Sequence, residues 1–554
     1  MRVFAGILQV HGPQSTAYSV SLDRTAYCYP YTVSLRDIGS AAMTSPQTTS
    51  TDFDPALRRL VIVVLLGAIM TILDTTITSV AVNTLGAQFN TSLSSIQWVL
   101  TGYTLALSMS IPLSGWAITR FGPKTMWITS LLLFITGSVL CGMSWNVASL
   151  IVFRLLQGFG AGMILPIGQT MLARAAGPAR MRRVMSAVAV PAMLAPVLGP
   201  VVGGLILGHL SWRWMFYINV PLCAVAVAAA IRLLPRDSIR DRGSKLDALG
   251  LALLSPGLGA LVYGTAQAGG GASLTDARVV ASVLAGVALV ACYVLHAARK
   301  GTAALIDVRL LRNRNFAAIN AIVFLYIGAL SGLMALLPLY LQTVNAETPL
   351  RSGIMVAPLG LGAMTTMAIT GKVTDKLSPR LLILSGLPVV LIGILGLTQI
   401  GPDTSTALLV AMLFVIGLGH GMIMPPAMGA SYQTLQHSEI PAATTVTNVG
   451  VRTASSFGVA ALFVLLQRNF EHQSPATAGG VAMPAGHAPT ADIARSLTHA
   501  FTQTYWWALV IAAVAIVPAL MLQRRSALAP VPTAAHNESI GPRSAVGSSS
   551  HRET

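Results

Sequence analysis

The chain has 554 residues, of which 54% are hydrophobic and only 10% charged, with a mean hydropathy of +0.70. A water-soluble domain carries roughly 25% charged residues, so this chain lacks the charge to cover a water-facing surface. Its net charge of +17 does not point to nucleic acid, because the basic residues sit in short loops between apolar runs rather than on one face or in an arm.

The chain opens with a polar, patternless stretch to about Pro55. Met1 to Val10 is too short and poorly built for a signal peptide. Met43 opens a segment that reads as a cytoplasmic lead-in, so Met43 competes with Met1 as the start. Apolar runs long enough to cross a bilayer then follow one another. About fourteen spans are expected, at 58–82, 96–116, 125–143, 149–171, 184–207, 213–234, 247–267, 278–297, 316–341, 352–371, 381–400, 406–430, 443–467 and 504–523. A long loop is expected from Arg468 to about Gln503, and a Ser-, Ala- and Pro-rich disordered tail after the last span.

Lys and Arg set the orientation. They crowd the loops of one side, at Arg120 and Lys124, Arg180 to Arg183, Arg232 to Lys245, Arg299 to Arg314 and Lys372 to Arg380. The other side holds Arg213, Arg278, Arg351, Arg468 and Arg495. Both termini are therefore expected in the cytoplasm, with the chain multi-pass in the cell (inner) membrane. Gly115-x-x-x-x-Arg120-x-x-x-Lys124 follows the second span, and Gly371-x-x-x-Asp375-Lys376-x-x-x-Arg380 follows the tenth. This internal repeat implies matching halves around a midplane site. The expected organisation is a tail (1–55), a six-helix half (56–235), a two-helix insertion (236–300), a second six-helix half (301–526) and a tail (527–554). The fold class is all-α integral membrane protein.

Charges inside spans are expensive and mark function by default. Of 18 acidic residues, only Asp74 lies well inside a span; of the bases, only Arg154 and Arg452 do. Thr71, Asp74 and Thr78 share one helical face, a polar stripe suited to a proton carrier or to a fixed ion pair. Arg154, with Gln157 and Gly158 on its face, keeps its proton and is the counter-charge for Asp74, a charge relay, or a structural residue bonding carbonyls. Arg452 shares a face with Asn448, Ser455 and Ser456 and suits substrate binding or helix packing equally. His420, in Gly417-x-Gly419-His420-Gly421, is a second proton site or a satisfied core residue. Pro191, Pro196, Gly199, Pro200, Gly203 and Gly204 suit a kinked helix at a moving interface. Met109, Tyr103, Met193, Tyr340, Met364 and Met424 would suit a pliable apolar pocket, though packing explains most of them. Cys28, Cys141, Cys223 and Cys292 have no metal or disulfide spacing. GxxxxGK[ST], HExxH and CxxC are all absent from the sequence, and nothing points to an enzyme.

Together these features resemble the major facilitator superfamily, in its fourteen-helix drug:proton antiporter subfamily, from about Leu57 to Gln523. The resemblance is carried by Leu73-Asp74-Thr75-Thr76-Ile77, Arg154-x-x-Gln157-Gly158-x-Gly160 and Pro196-x-x-Gly199-Pro200-x-x-Gly203-Gly204. Trp212-Arg213-Trp214-Met215-Phe216-Tyr217-Ile218-Asn219-Val220-Pro221 and Asp307-x-Arg309-Leu310-Leu311-Arg312 add to it. It implies Asp74 as proton acceptor and Arg154 as its coupling to substrate release. It also implies the loops at Gly115, Arg120, Gly122 and Lys124 and at Gly371, Asp375, Lys376 and Arg380 as latches between states. Thr119 stands where the family has an acid and Pro123 where it has Arg, which implies a weaker first latch. Asn83 replaces a Pro, which implies a straighter end to the first helix. A second membrane acid found in some members is missing, which puts recognition of divalent cations in doubt. The expected activity is export of small amphiphilic or cationic compounds against protons. It is driven by the proton gradient with no cofactor, in contact with lipid and with no nucleic acid. A dedicated exporter of one metabolite or antibiotic, and more distantly a non-transporting scaffold or sensor, are the alternatives. The resemblance admits a periplasmic adaptor as partner, with no element here that demonstrates docking.

Overall fold

Inside a bilayer the backbone has no water to bond and must satisfy itself within helices or closed barrels. In the computed structural model of the protein every described element of regular structure is helical. The structure describes residues 54–91, 93–237, 241, 243–269, 276–347, 349–373, 377–436, 438–473 and 491–523. Cys28, Met43, Asp375, Lys376, the expected tails apart from residues 54–55, and the middle of the expected 468–503 loop lie outside them.

In chain order the helices are α1 (Pro55–Val80), α2 (Val82–Gln88), α3 (Leu93–Ser110), α4 (Leu113–Phe121), α5 (Pro123–Gly142), α6 (Val147–Ala192), α7 (Ala195–His209), α8 (Trp214–Tyr217), α9 (Asn219–Leu233), α10 (Ala248–Gly269), α11 (Ala277–Lys300), α12 (Arg314–Thr343), α13 (Pro349–Val373), α14 (Pro379–Leu397), α15 (Thr406–Ser431), α16 (Ile440–Gln473), α17 (Ala491–Val514) and α18 (Ile516–Leu520). Among the described residues, 12 helices are long and apolar enough to cross a membrane. The other two expected spans are not single helices. The one at 96–116 breaks between α3 and α4 at Ile111 and Pro112, and the one at 184–207 breaks at Met193 and Leu194, just before Pro196. Proline removes the amide that would carry the helix on. Two expected loops are partly helical. The chain between the fourth and fifth spans is helical on both sides of an elbow at Gly177, φ 67°, where the backbone leaves the helical conformation. The stretch from Arg468 is helical at both ends, in α16 and α17. Two residues before Asn83 the chain interrupts its helix despite the missing proline, stopping α1 at Val80 and restarting at Val82.

α1, α3, α5, α6, α7 and α9 pack on one another, and so do α12 to α17; α6 touches α13, α15 and α16 across the seam, and α4 touches α16. The α10–α11 hairpin lies against α3 and α16 and so contacts both groups. Ser255 donates to the Met109 carbonyl at 2.7 Å, and Trp116 donates to the Ser244 carbonyl at 3.3 Å.

The hairpin is fastened at its base by Asp247, a residue that sequence reading placed at the edge of an apolar run and passed over. Its buried carboxylate accepts from Lys300 Nζ at 2.7 Å, the Gly250 amide at 3.1 Å and the Leu305 amide at 3.0 Å, and both oxygens lie 3.1 Å from His296 Nε2. Burial pushes this carboxyl up, but Lys300, the two amides and His296 outweigh burial and hold it at about 2, below its ordinary 3.8. A carboxyl held low stabilises the fold above its unfolded value and ceases to as pH falls through its folded one. Asp247→Asn is therefore expected to lower stability by about 2 kcal/mol at pH 7. Unfolding midpoints of wild type and variant in detergent should converge as pH falls from 4 toward 2. A gap that stays constant over that range would contradict the assignment.

Two basic loop residues, one in each repeat, do the same work. Lys124 Nζ donates to the carbonyls of Ile231 at 2.8 Å and Leu234 at 2.6 Å, at the end of α9. Arg380 Nη1 donates to the Leu522 carbonyl at 3.0 Å, just past α18. The last carbonyls of a helix lack internal partners and carry its negative dipole end, so a cation there is favoured. Asp237 caps the start of α5, accepting from the amides of Lys124 and Thr125 at 2.9 Å each and from the Thr125 hydroxyl at 2.7 Å. Gly122, at φ 92°, is required here, because a β-carbon would overlap the Asp237 side chain. An acid just beyond the sixth expected span thus secures the loop in which Thr119 replaces one.

Candidate functional site

The candidate site is assembled from five helices around Asp74. A carboxylate inside the bilayer must be met by donors or it is strongly disfavoured. Asp74 is 1% exposed and meets three donors from two other helices. Arg154 Nη1 of α6 donates to Oδ2 at 2.7 Å, and Gln157 Nε2, one turn on, donates to Oδ1 at 2.9 Å. Asn219 Nδ2, at the start of α9, donates to Oδ1 at 2.7 Å. Ser138 of α5 accepts from Gln157 at 2.5 Å and from Asn219 at 3.2 Å. Arg154 is itself 0% exposed. It also donates to Gln157 Oε1 at 2.8 Å and through Nε to the Val99 carbonyl of α3 at 3.1 Å, and its guanidinium lies 4.1 Å from the centre of the Tyr103 ring. Every side chain that meets the carboxylate is a donor, which is the geometry of an ionised acid.

Asp74, Arg154 and Gln157 are thus brought together, and Asn219 and Ser138 join them unannounced. Asn219 lay in the run Trp212 to Pro221, read for its resemblance and not for its chemistry. The available signal was an amide inside an apolar segment. Asn219→Ala removes a third of the donors and is expected to cost about 1–3 kcal/mol of stability, read as a lower unfolding midpoint in detergent. In a cycle with an Asp74 variant the two losses should be non-additive; simple additivity would show that the two side chains do not act together.

The other candidates fall elsewhere. The Thr71 hydroxyl donates to the carbonyls of Gly67 and Ala68, and Thr78 to the carbonyl of Asp74 at 2.7 Å, so neither touches the carboxylate. His420 Nδ1 of α15 lies 2.8 Å from the Tyr326 hydroxyl of α12, in the other helix group. Gly199 stands against the Thr76 side chain and Gly203 in ordinary contact with Ile77, both of α1, whereas a β-carbon at Gly204 would meet nothing within 4 Å. Pro200 sits within α7.

Beside the network lies a cavity of about 210 Å³ lined by Thr71, Ile72, Thr75 and Thr76 of α1, Leu107 and Ile111, Ala161, Gly162, Leu165 and Pro166 of α6, and Asn448 and Arg452 of α16. Of the expected apolar pocket residues, Tyr103 stacks on Arg154 and none lines this cavity. One turn further along α6 the two groups close on each other. Asn448 Nδ2 donates to Gln169 Oε1 at 2.7 Å, the hydroxyls of Thr170 and Thr444 are 2.8 Å apart, and those of Ser114 and Thr445 are 3.3 Å apart. Gly115 admits this contact, since a β-carbon there would come within 2.8 Å of the Thr445 hydroxyl oxygen.

The family profile described as Major Facilitator Superfamily matches residues 64–459. The chain is 36% identical to the "Multidrug resistance protein B homolog" of Mycobacterium tuberculosis (strain ATCC 25618 / H37Rv), over 86% of this chain and 91% of that one. It is 32% identical to the "Multidrug export protein EmrB" of Escherichia coli (strain K12), over 57% of this chain and 62% of that one. Among solved structures it is similar in fold to the human organic anion transporter MFSD10 (TETRAN), with TM-score 0.57 and 14% identity over 85% of this chain and 100% of that one. It is also similar to the proton:xylose symporter XylE, with TM-score 0.54 and 14% identity over 84% and 95%.

Proposed function

Because this chain belongs to the Major Facilitator Superfamily, within its multidrug-efflux subfamily, and is a multi-pass membrane transporter rather than an enzyme, we propose that it exports small amphiphilic compounds in exchange for protons. The observation that carries the reading is a carboxylate buried mid-span and held by donors from two further helices, next to a cavity between two helix groups. A proton arriving at Asp74 turns an acceptor into a donor and removes the negative charge. Arg154 then loses its counter-charge, and Gln157 and Asn219 are left with a neutral, weaker acceptor in place of a carboxylate. These groups sit on α6 and α9, so neutralising Asp74 loosens α1 from both. Loss of the proton to the other side restores the clamp. The two arrangements supply the bistable element that alternating access needs. One proton moving through 100 mV yields ~2.3 kcal/mol.

With the N-terminus in the cytoplasm of a cell whose inner membrane holds the protein, the Gln169–Asn448 and Thr170–Thr444 contacts close the cytoplasmic side. Substrate then leaves outward while that seam is shut. The cavity volume of about 210 Å³ is smaller than the ~300–1,000 Å³ of drug-sized sites. This favours, as a second reading, an exporter dedicated to one small metabolite with the same proton motor.

Cells expressing the chain and preloaded with the neutral amphiphile Nile red are expected to lose the dye several-fold faster than control cells. A protonophore is expected to erase the difference. A difference that survives the protonophore would assign another source of energy, and no difference for any amphiphile would count against export.

A further inference from the structure

The cavity contains one formal charge, and it is positive. Among its lining residues only Arg452 is ionisable; the rest are Thr hydroxyls, Asn448, glycine, proline and aliphatic side chains. Asp74, the nearest acid on α1, is buried out of the cavity and committed to Arg154, Gln157 and Asn219. Four other bases have acceptors: Arg154 has Asp74, Lys300 has Asp247, Lys124 and Arg380 have helix carbonyls. Among the described residues, Arg452 has neither a carboxylate partner nor a hydrogen-bonded acceptor. A guanidinium at membrane depth with no counter-charge is costly and marks a ligand or ion path. Its planar donor fork matches a carboxylate or sulfonate two bonds at a time. The remaining wall, from Ile72, Leu107, Ile111 and Leu165, suits the apolar body of such a molecule.

We propose that Arg452 receives an acidic group of the transported compound, so that the preferred substrates are amphiphilic organic anions rather than cations. The inference rests on the export reading above and narrows it. Asn448, one turn before Arg452, is held by Gln169 and Thr444 and fixes the helix face that presents the guanidinium.

The test uses everted vesicles carrying the full chain, energised with a proton gradient, and three probes: dansylglycine, its neutral amide dansylglycinamide, and ethidium. Wild type is expected to take up dansylglycine at least tenfold faster than the amide or ethidium. Arg452→Gln is expected to cut dansylglycine uptake at least tenfold and leave the amide within twofold, with Arg452→Lys between them. Variants are compared at equal membrane content and equal size-exclusion profile in detergent. Equal loss of acid and amide would assign Arg452 to packing and overturn the proposal. So would a wild type that prefers ethidium or the amide, or that moves none of the three. Uptake of dansylglycine that depends on Arg452 but ignores a protonophore would keep the anion site and remove the proton motor. Uptake that needs the gradient and ignores Arg452 would do the reverse.

Discussion

Asp74→Asn is expected to lower proton-driven transport at least a hundredfold, with the protein still present in the membrane. The variant keeps the shape of the side chain and loses the ability to change charge. It also turns one carboxylate oxygen, now facing only donors from Arg154, Gln157 and Asn219, into an NH₂ group that must face them. Arg154, 0% exposed, is left without its counter-charge, and breaking a buried pair from one side costs about 3–5 kcal/mol. A loss of activity could therefore reflect a loss of fold, and a double variant separates the two. Asp74→Asn with Arg154→Gln removes both charges and is expected to recover much of the unfolding midpoint while transport stays dead. Protonophore-sensitive export by Asp74→Asn at the wild-type rate would remove Asp74 from the proton path.

The second large effect is mechanical. Gly458→Val is expected to cost about 3 kcal/mol or more and to abolish recovery of monodisperse protein in detergent. α12 and α16 meet at Gly328 and Gly458, where a β-carbon on Gly458 would overlap the Gly328 carbonyl, a backbone group with no rotamer to yield. Lipid offers no hydrophobic drive for helices to associate, so close backbone approach over small residues has to supply the attraction. Gly204→Ala is the control, since nothing lies within 4 Å of the added carbon, and its midpoint should match wild type. A Gly458→Val protein of normal stability would mean that the two helices can part without consequence.

What the sequence made legible follows from which energies are large. Asp74 and Arg154 stood out because a charge in a bilayer is too expensive to be incidental, and the structure places them 2.7 Å apart. Asn219 and Ser138 were passed over because an amide or hydroxyl in a span is tolerated widely enough to carry little signal. Hydropathy summed over a window is blind to a break of one or two residues, so α3–α4 and the α6–α7 junction read as single spans. Asp247 was hidden by position, at the edge of an apolar run where an acid looks like loop. Lys124 and Arg380 were legible as a repeat but not in their contacts, since helix-end carbonyls carry no mark in the sequence.

That repeated contact says something about how the chain came to be built. The same fastening, a loop base closing on the end of the last helix of its own group, occurs after the second and the tenth expected spans. Among the described residues, the buried acid has no counterpart in the second copy. What the two copies share is framework; under the function proposed above, what sets them apart is the engine, one copy holding the proton and the other bringing the arginine that faces the cargo. Exchanging the matching loops between copies should therefore leave transport running, whereas moving the acid to the other copy should stop it.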